Sequence, residues 1–121
     1  MNKYKDTPQD IHKRIYNFVI NCFRDVVKKI PKTIENIPII SQVSSSLTSI
    51  GANDQEADAT ITKKDFIAKY MIVKKEAKET KYWLSVIMDL QLVPKNIVEP
   101  YIQECQEILM IVSKIINNTR Y

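Results

Sequence analysis

The sequence predicts an all-α chain folded as an antiparallel up-down-up-down four-helix bundle. Three observations carry that expectation. Only one glycine occurs in 121 residues. Sheet-rich folds need glycines in tight turns, so the scarcity argues for long helices. Apolar residues recur at spacings of three and four through four separate segments, which is the period of one helical face. The five prolines fall at the edges of those segments, where a fixed φ and a missing N–H start or stop a helix.

The first helix is expected over about residues 8–30. Thr7 can cap it, Pro8 suits the first position, and Asp10 complements the helix dipole. Ile11, Ile15, Phe18, Val19, Cys22, Phe23, Val26, Val27 and Ile30 then draw one apolar stripe, which Pro31 ends. Residues 31–37 connect to a second helix over 38–58. Its apolar positions Ile40, Val43, Leu47, Ile50 and Ala57 approach a heptad seam. Ser44, Ser45, Ser46, Thr48 and Ser49 are mediocre helix formers. The spacing of three and four, not two, nevertheless marks a helix whose small residues let a neighbour come close. Asp54, Glu56 and Asp58 form an acidic patch that marks its end.

A third helix is expected over 62–93. Thr62 to Asp65 reads as a capping box with Asp in the Glu position. Phe66, Tyr70, Val73, Ala77, Thr80, Leu84 and Ile87 form its inner line, with Ile72 and Trp83 beside it, and Pro94 closes it. A fourth helix is expected over 96–118. Asn96 to Glu99 reads as its capping box, and Pro100 falls in the first turn. Tyr101, Cys105, Ile108, Leu109, Val112, Ile115 and Ile116 supply its stripe. Short connections between four amphipathic helices make residues 1–121 one bundle domain.

A core of this size removes roughly two-thirds of the unfolded surface from water, so neither a disulfide nor a metal is required for stability. Cys22 and Cys105 each fall on an apolar stripe and read as buried free thiols, with a disulfide or metal pair as the lesser alternative. That usage suits a reducing cytosol. The opening MNKYKDTPQD has no apolar core of a signal peptide, and no run approaches the roughly 20 apolar residues of a membrane span. A cytoplasmic protein with no membrane partner is expected.

The exclusions extend to catalysis. No glycine-rich phosphate loop occurs, and the single histidine, His12, lacks the Glu-x-x-His context of a bundle di-metal site. Neither enzyme activity, nor a cofactor, nor a metal is expected. Glu76 and Glu79 are neighbours on one helix face, but Lys75, Lys78 and Lys81 surround them, so ion pairing outweighs acid–base chemistry. Gly51 reads as a point of close helix approach and Asn53 as a buried polar contact that fixes register. Trp83 reads as core or subunit interface, since stacking platforms need exposed aromatics beside a basic groove. Ile50, Gly51, Asn53, Glu76, Glu79 and Trp83 are thus the candidates for packing or an oligomer interface.

The net charge of +4 is unevenly distributed. Residues 1–40 carry eight basic and four acidic side chains, residues 62–93 seven and four, while residues 41–61 carry three acids and no base. The candidates for contact with nucleic-acid phosphates are therefore Lys13, Arg14, Arg24, Lys28, Lys29, Lys74, Lys75, Lys78 and Lys81. A plain solvated lysine face is the competing reading.

Several segments carry a more specific pattern. Thr48-Ser49-Ile50-Gly51-Ala52-Asn53 is followed by Glu56-Ala57, then Asp65-Phe66-Ile67, then Glu76-Ala77-Lys78-Glu79-Thr80-Lys81-Tyr82-Trp83-Leu84. In order and spacing these resemble the bacterial four-helix bundle family encoded in 23S rRNA intervening sequences. The resemblance spans nearly the whole chain, though the first and last helices match only in pattern. It implies a left-handed up-and-down bundle that assembles as a homopentamer. A related protein is the accessory protein of diversity-generating retroelements, a basic pentamer thought to bind nucleic acid and a reverse transcriptase. The main family has no assigned biochemical role. Five copies would carry a net charge of about +20. Two positions depart from the family pattern: Ser45 stands where an arginine is frequent, and Asp54 where an apolar residue is usual. The resulting expectation is a homo-oligomeric, non-enzymatic protein that binds RNA or DNA through backbone phosphates. The alternative is a protein–protein interaction scaffold or accessory subunit that binds no nucleic acid.

Overall fold

The structure, a computed structural model, describes residues 8–120, with side chains from Ile11 onward. Among those residues it contains four α-helices and no strand: α1 (Pro8–Asp25), α2 (Ile37–Asp58), α3 (Lys63–Asp89) and α4 (Lys95–Thr119). The proposed Thr7 cap of α1 lies outside the described residues. Each helix packs beside its neighbours in the chain, and α4 closes back on α1. The diagonal pairs, α1 with α3 and α2 with α4, do not approach at the backbone. This is a four-helix bundle with one shared interior.

The stripes supply that interior. Ile11, Ile15, Phe18 and Cys22 from α1 meet Val43, Leu47 and Ile50 from α2, Val73, Ala77, Leu84 and Ile87 from α3, and Cys105, Ile108, Val112 and Ile116 from α4. All are buried. Burying such side chains stabilises by about 1.5–3 kcal/mol each relative to leaving them in water. Cys22 and Cys105 are free and buried. Burial pushes both thiols up, Cys105 to about 12, which keeps them protonated near neutral pH.

The helix ends differ from the sequence expectation. α1 stops at Asp25, and a 3-10 turn over Val27–Lys29 carries the chain on to Ile30. Ile30 precedes Pro31 and is extended, at φ −69° and ψ 126°. Helical geometry is disfavoured for a residue before proline, so the helix does not continue through Ile30. Val26, Val27 and Ile30 stay buried all the same. The following connection is held by Asn36, whose side-chain amide donates to the Pro31 carbonyl at 3.0 Å.

α3 likewise ends at Asp89, not at Val93. Gln91 adopts a left-handed conformation at φ 58°. The Leu92 N–H then reaches the Ile87 carbonyl and the Gln91 N–H the Met88 carbonyl, both at 3.0 Å. These are the two bonds of a Schellman ending. At the start of α3, Thr62 Oγ1 accepts from the Asp65 N–H at 3.1 Å, as the capping pattern predicts. The capping box expected at Asn96–Glu99 does not form. The Pro94 carbonyl takes the first N–H groups of α4 instead, and no side chain caps that helix. Pro100 therefore lies at the sixth helical position, beyond the first turn.

The small residues of α2 satisfy their hydroxyls on the helix itself. Thr48 Oγ1 donates to the carbonyls of Ser44 and Ser45, and Ser46 Oγ to that of Val43. Gly51 does not mark an intrachain close approach. A Cβ placed there would meet only Val19 Cγ2, at an ordinary 3.7 Å. Glycine in a helix interior is about 0.8–1.0 kcal/mol less favourable than alanine. Gly51→Ala should therefore raise stability by about 0.5–1 kcal/mol, measured as a higher urea midpoint at constant m-value.

Candidate functional site

Three features of this bundle bear on function: a buried polar cluster, a basic groove and an apolar groove. The polar cluster begins with spacing. Val43, Leu47, Ile50 and Ala57 alternate by four and three along α2, and the same rhythm places Asp54 in the seam. Asp54 is 1% exposed, although its charge reads as surface. Its Oδ1 accepts from the Tyr70 hydroxyl of α3 at 2.7 Å and lies 2.7 Å from His12 Nδ1 of α1. His12 Nε2 stands 3.2 Å from Asp58 Oδ1. Burial raises the Asp54 carboxyl above its ordinary range; Tyr70 and His12 pull it down without offsetting that, and Asp58 adds to the rise. Burial, then the neighbouring carboxylates, push the Tyr70 hydroxyl far up, so Tyr70 is a fixed donor. The His12, Asp54 and Asp58 side chains are committed to one another. No group of three or more potential ligands able to hold a metal occurs among the described residues.

A second buried tie joins α2 to α3 one layer away. Thr80 Oγ1 donates to Ser46 Oγ at 2.7 Å and lies 2.9 Å from the Glu76 carbonyl. Between α1 and α4, the Arg14 guanidinium grips Glu104 through Nε and Nη2, both at 2.7 Å, and Glu107 through Nη2 at 2.6 Å. The bond to Glu104 is the chief reason the guanidinium is held firmly protonated. Tyr101 donates to Asp25, and that bond, with Arg24, holds the Asp25 carboxyl low.

Arg14 is thereby paired with two carboxylates of α4. Arg24 is exposed but bound to Asp25 at 3.0 Å. Lys13, Lys28 and Lys29 are exposed around α1 and its 3-10 turn, and Lys75 and Lys78 on α3, with Lys74 and Lys81 half-buried. Because α1 and α3 occupy diagonal corners, the nine proposed basic residues do not meet on one face. The α3 set does border a groove. It runs between α3 and α4, holds about 510 Å³, and is lined by Lys74, Lys78 and Lys114 with the amides of Gln106, Asn117 and Asn118. No acidic residue is among the described residues that line it. Lys81 extends along its edge, donating to Gln106 at 2.7 Å.

The packing candidates separate too. Ile50 is fully buried core. Asn53 donates its amide to Ser49 within α2 and makes no interhelical hydrogen bond among the described residues; Asp54 makes the tie expected of it. The expected ion pairs of Glu76 reduce to one 4.0 Å approach by Lys75, and Glu79 has none among the described residues. Trp83 is half-buried against the core, and its indole N–H is buried without a partner among the described residues. Gly51 lines a groove of about 290 Å³ between α1 and α2, with Ile15, Tyr16, Val19, Ile20 and Ala52. Tyr16 is 60% exposed and Ile20 45%.

The profile of the 23S rRNA-intervening sequence protein family matches residues 8–114. The chain belongs to that family. The family fold is also seen in the crystal structure of a protein with unknown function from the S23 ribosomal protein family of Bacteroides thetaiotaomicron. It superposes with a TM-score of 0.82 at 27% identity, over 91% of this chain and 97% of that one. No curated protein matches the chain. No helix among the described residues is long and apolar enough to cross a membrane.

The buried carboxyl gives this family member a measurable pH dependence. A raised native value means the folded chain holds the Asp54 proton more tightly than the unfolded chain. That contribution is fully present below the ordinary carboxylate range and is lost as pH rises through the raised value. Asp54→Asn keeps an acceptor for Tyr70 and removes the titration. Its urea midpoint should fall less than that of the unaltered chain between about pH 4 and pH 7.

Proposed function

We propose that this protein is a cytoplasmic, non-enzymatic homo-oligomer that binds RNA or DNA through backbone phosphates, with little sequence specificity. The observation that carries the reading is the α3–α4 groove, where Lys74, Lys78 and Lys114 gather with several amides, and no acidic side chain is among the described residues that line it. Such a surface attracts polyanions at any sequence. The groove also narrows the proposed contact set from nine basic residues to Lys74 and Lys78, which line it, and Lys81 at its edge, with Lys114 added from α4.

The bundle is proposed to be one domain of antiparallel up-down-up-down topology, left-handed as the family resemblance implies. The ties support the antiparallel part. Asp54 near the end of α2 reaches Tyr70 near the start of α3, while Ser46 reaches Thr80 further along. The proposed assembly is a pentamer, again from the family resemblance, and the α1–α2 groove is its proposed contact surface. That groove is apolar, and Tyr16 and Ile20 are left in water in a single chain. A second reading, a scaffold for another protein, draws on the same exposed side chains.

Two measurements test this. Binding to a structured RNA should be readily detected at low salt and weaken steeply as salt rises. Lys74→Glu with Lys78→Glu should reduce the slope of log K against log salt by about 2. Absence of binding at low salt refutes the reading. Light scattering at micromolar concentration should give a multiple of the 14.1 kDa chain mass, and a monomer there removes the assembly.

A further inference from the structure

Lys74, Lys78 and Tyr82 are spaced by four along α3, so they form one row on the helix surface. The row spans about 12 Å. Its first two members line the α3–α4 groove. The third is an aromatic ring left 59% exposed. Core packing does not require Tyr82 there, since it is absent from the hydrophobic core and from the residues packed against it. The ring is buttressed instead: Trp83 packs against it nearly perpendicular, at 76° and 4.9 Å between centroids. An exposed aromatic at the end of a lysine row is the arrangement that accepts a stacked base.

The groove beside the row has more than charge. Its α4 wall offers Leu109 and Met110, the latter 62% exposed, as apolar floor. Gln106, Asn117 and Asn118 add amides that both donate and accept. At the far end the Arg120 guanidinium reaches Met71 Sδ at 3.9 Å, which places another cation beside the row. A surface built only for duplex backbone needs cations and no exposed aromatic or apolar floor. Duplex bases are stacked on each other and hidden from a flat surface; unpaired bases are not. The amides suit a ribose 2′-hydroxyl, which donates and accepts as they do.

We propose that the α3–α4 groove takes single-stranded RNA, with one unpaired base stacked on Tyr82 and the flanking phosphates on Lys78 and Lys74. This rests on the nucleic-acid reading above and deepens it. The test compares a single-stranded RNA oligonucleotide, the same sequence as RNA duplex, and the same sequence as single-stranded DNA, by fluorescence anisotropy at low salt. The expected result is single-stranded RNA bound about tenfold or more tighter than the duplex, and tighter than the DNA. Tyr82→Ala should lose about tenfold on the single strand and little on the duplex, whereas Tyr82→Phe should retain binding. The chain has one tryptophan, and it adjoins Tyr82. Its emission should therefore change on addition of single-stranded RNA and not of duplex. Equal or tighter duplex binding, equal binding of the DNA, or an unaffected Tyr82→Ala variant overturns the inference while leaving the broader reading intact. No salt-dependent binding of any of the three sinks the broader reading itself.

Discussion

A carboxylate stands where an aliphatic side chain would complete the seam of α2, and much of the bundle is arranged around that fact. An unpaired charge in an apolar interior costs several kcal/mol, so Asp54 stays buried only with partners supplied from outside its own helix. His12 comes from α1 and Tyr70 from α3. Three helices are thereby held at one depth. Apolar surfaces slide past one another at modest cost, whereas hydrogen bonds shielded from water tolerate little displacement. The Ser46–Thr80 pair acts likewise one layer along, and the Arg14–Glu104 fork does so at the half-exposed α1–α4 seam. The aliphatic stripes make the interior dry, and these few polar contacts select which dry arrangement is occupied.

The stripes were legible because period alone decides them, and the four segments that carry the period are the four helices. The helix ends were less so. Pro31 and Pro94 read as the stops, but the regular helices close several residues upstream of them, in a 3-10 turn before Pro31 and at a left-handed Gln91 before Pro94. Pro94 also displaced the cap expected at Asn96. Asp54 was misread through its chemistry. Grouped with Glu56 and Asp58 it signals water, while its place in the four-three rhythm signals the interior, and the rhythm prevailed. His12 offered no clue, since its partner lies 42 residues away.

The basic residues show a different gap between sequence and structure. Counting along the chain gathers them on α1 and α3, yet connectivity places those helices at diagonal corners. Only the α3 set gains a neighbour of compatible chemistry, and that neighbour, α4, is electrically neutral by count and attracts no notice in the sequence. Lys114, Asn117 and Asn118 fall under the α3 lysines because of how α4 lies against α3. Gly51 is the converse case. Its surroundings within the chain admit a larger residue, so packing inside one chain does not explain it, and its place on the rim of the α1–α2 groove becomes the more telling fact.

The two grooves lie on opposite sides of the bundle, one between α1 and α2 and the other between α3 and α4. Copies joined through the first would turn the second outward, at regular intervals around the assembly. A flexible polymer captured at one such interval is then presented to the next at high effective concentration. Avidity of that kind can exceed the strength of any single contact by about 10²–10⁴. In the ring proposed above, each groove would then be shallow and undemanding about sequence while the whole assembly would hold a long strand firmly.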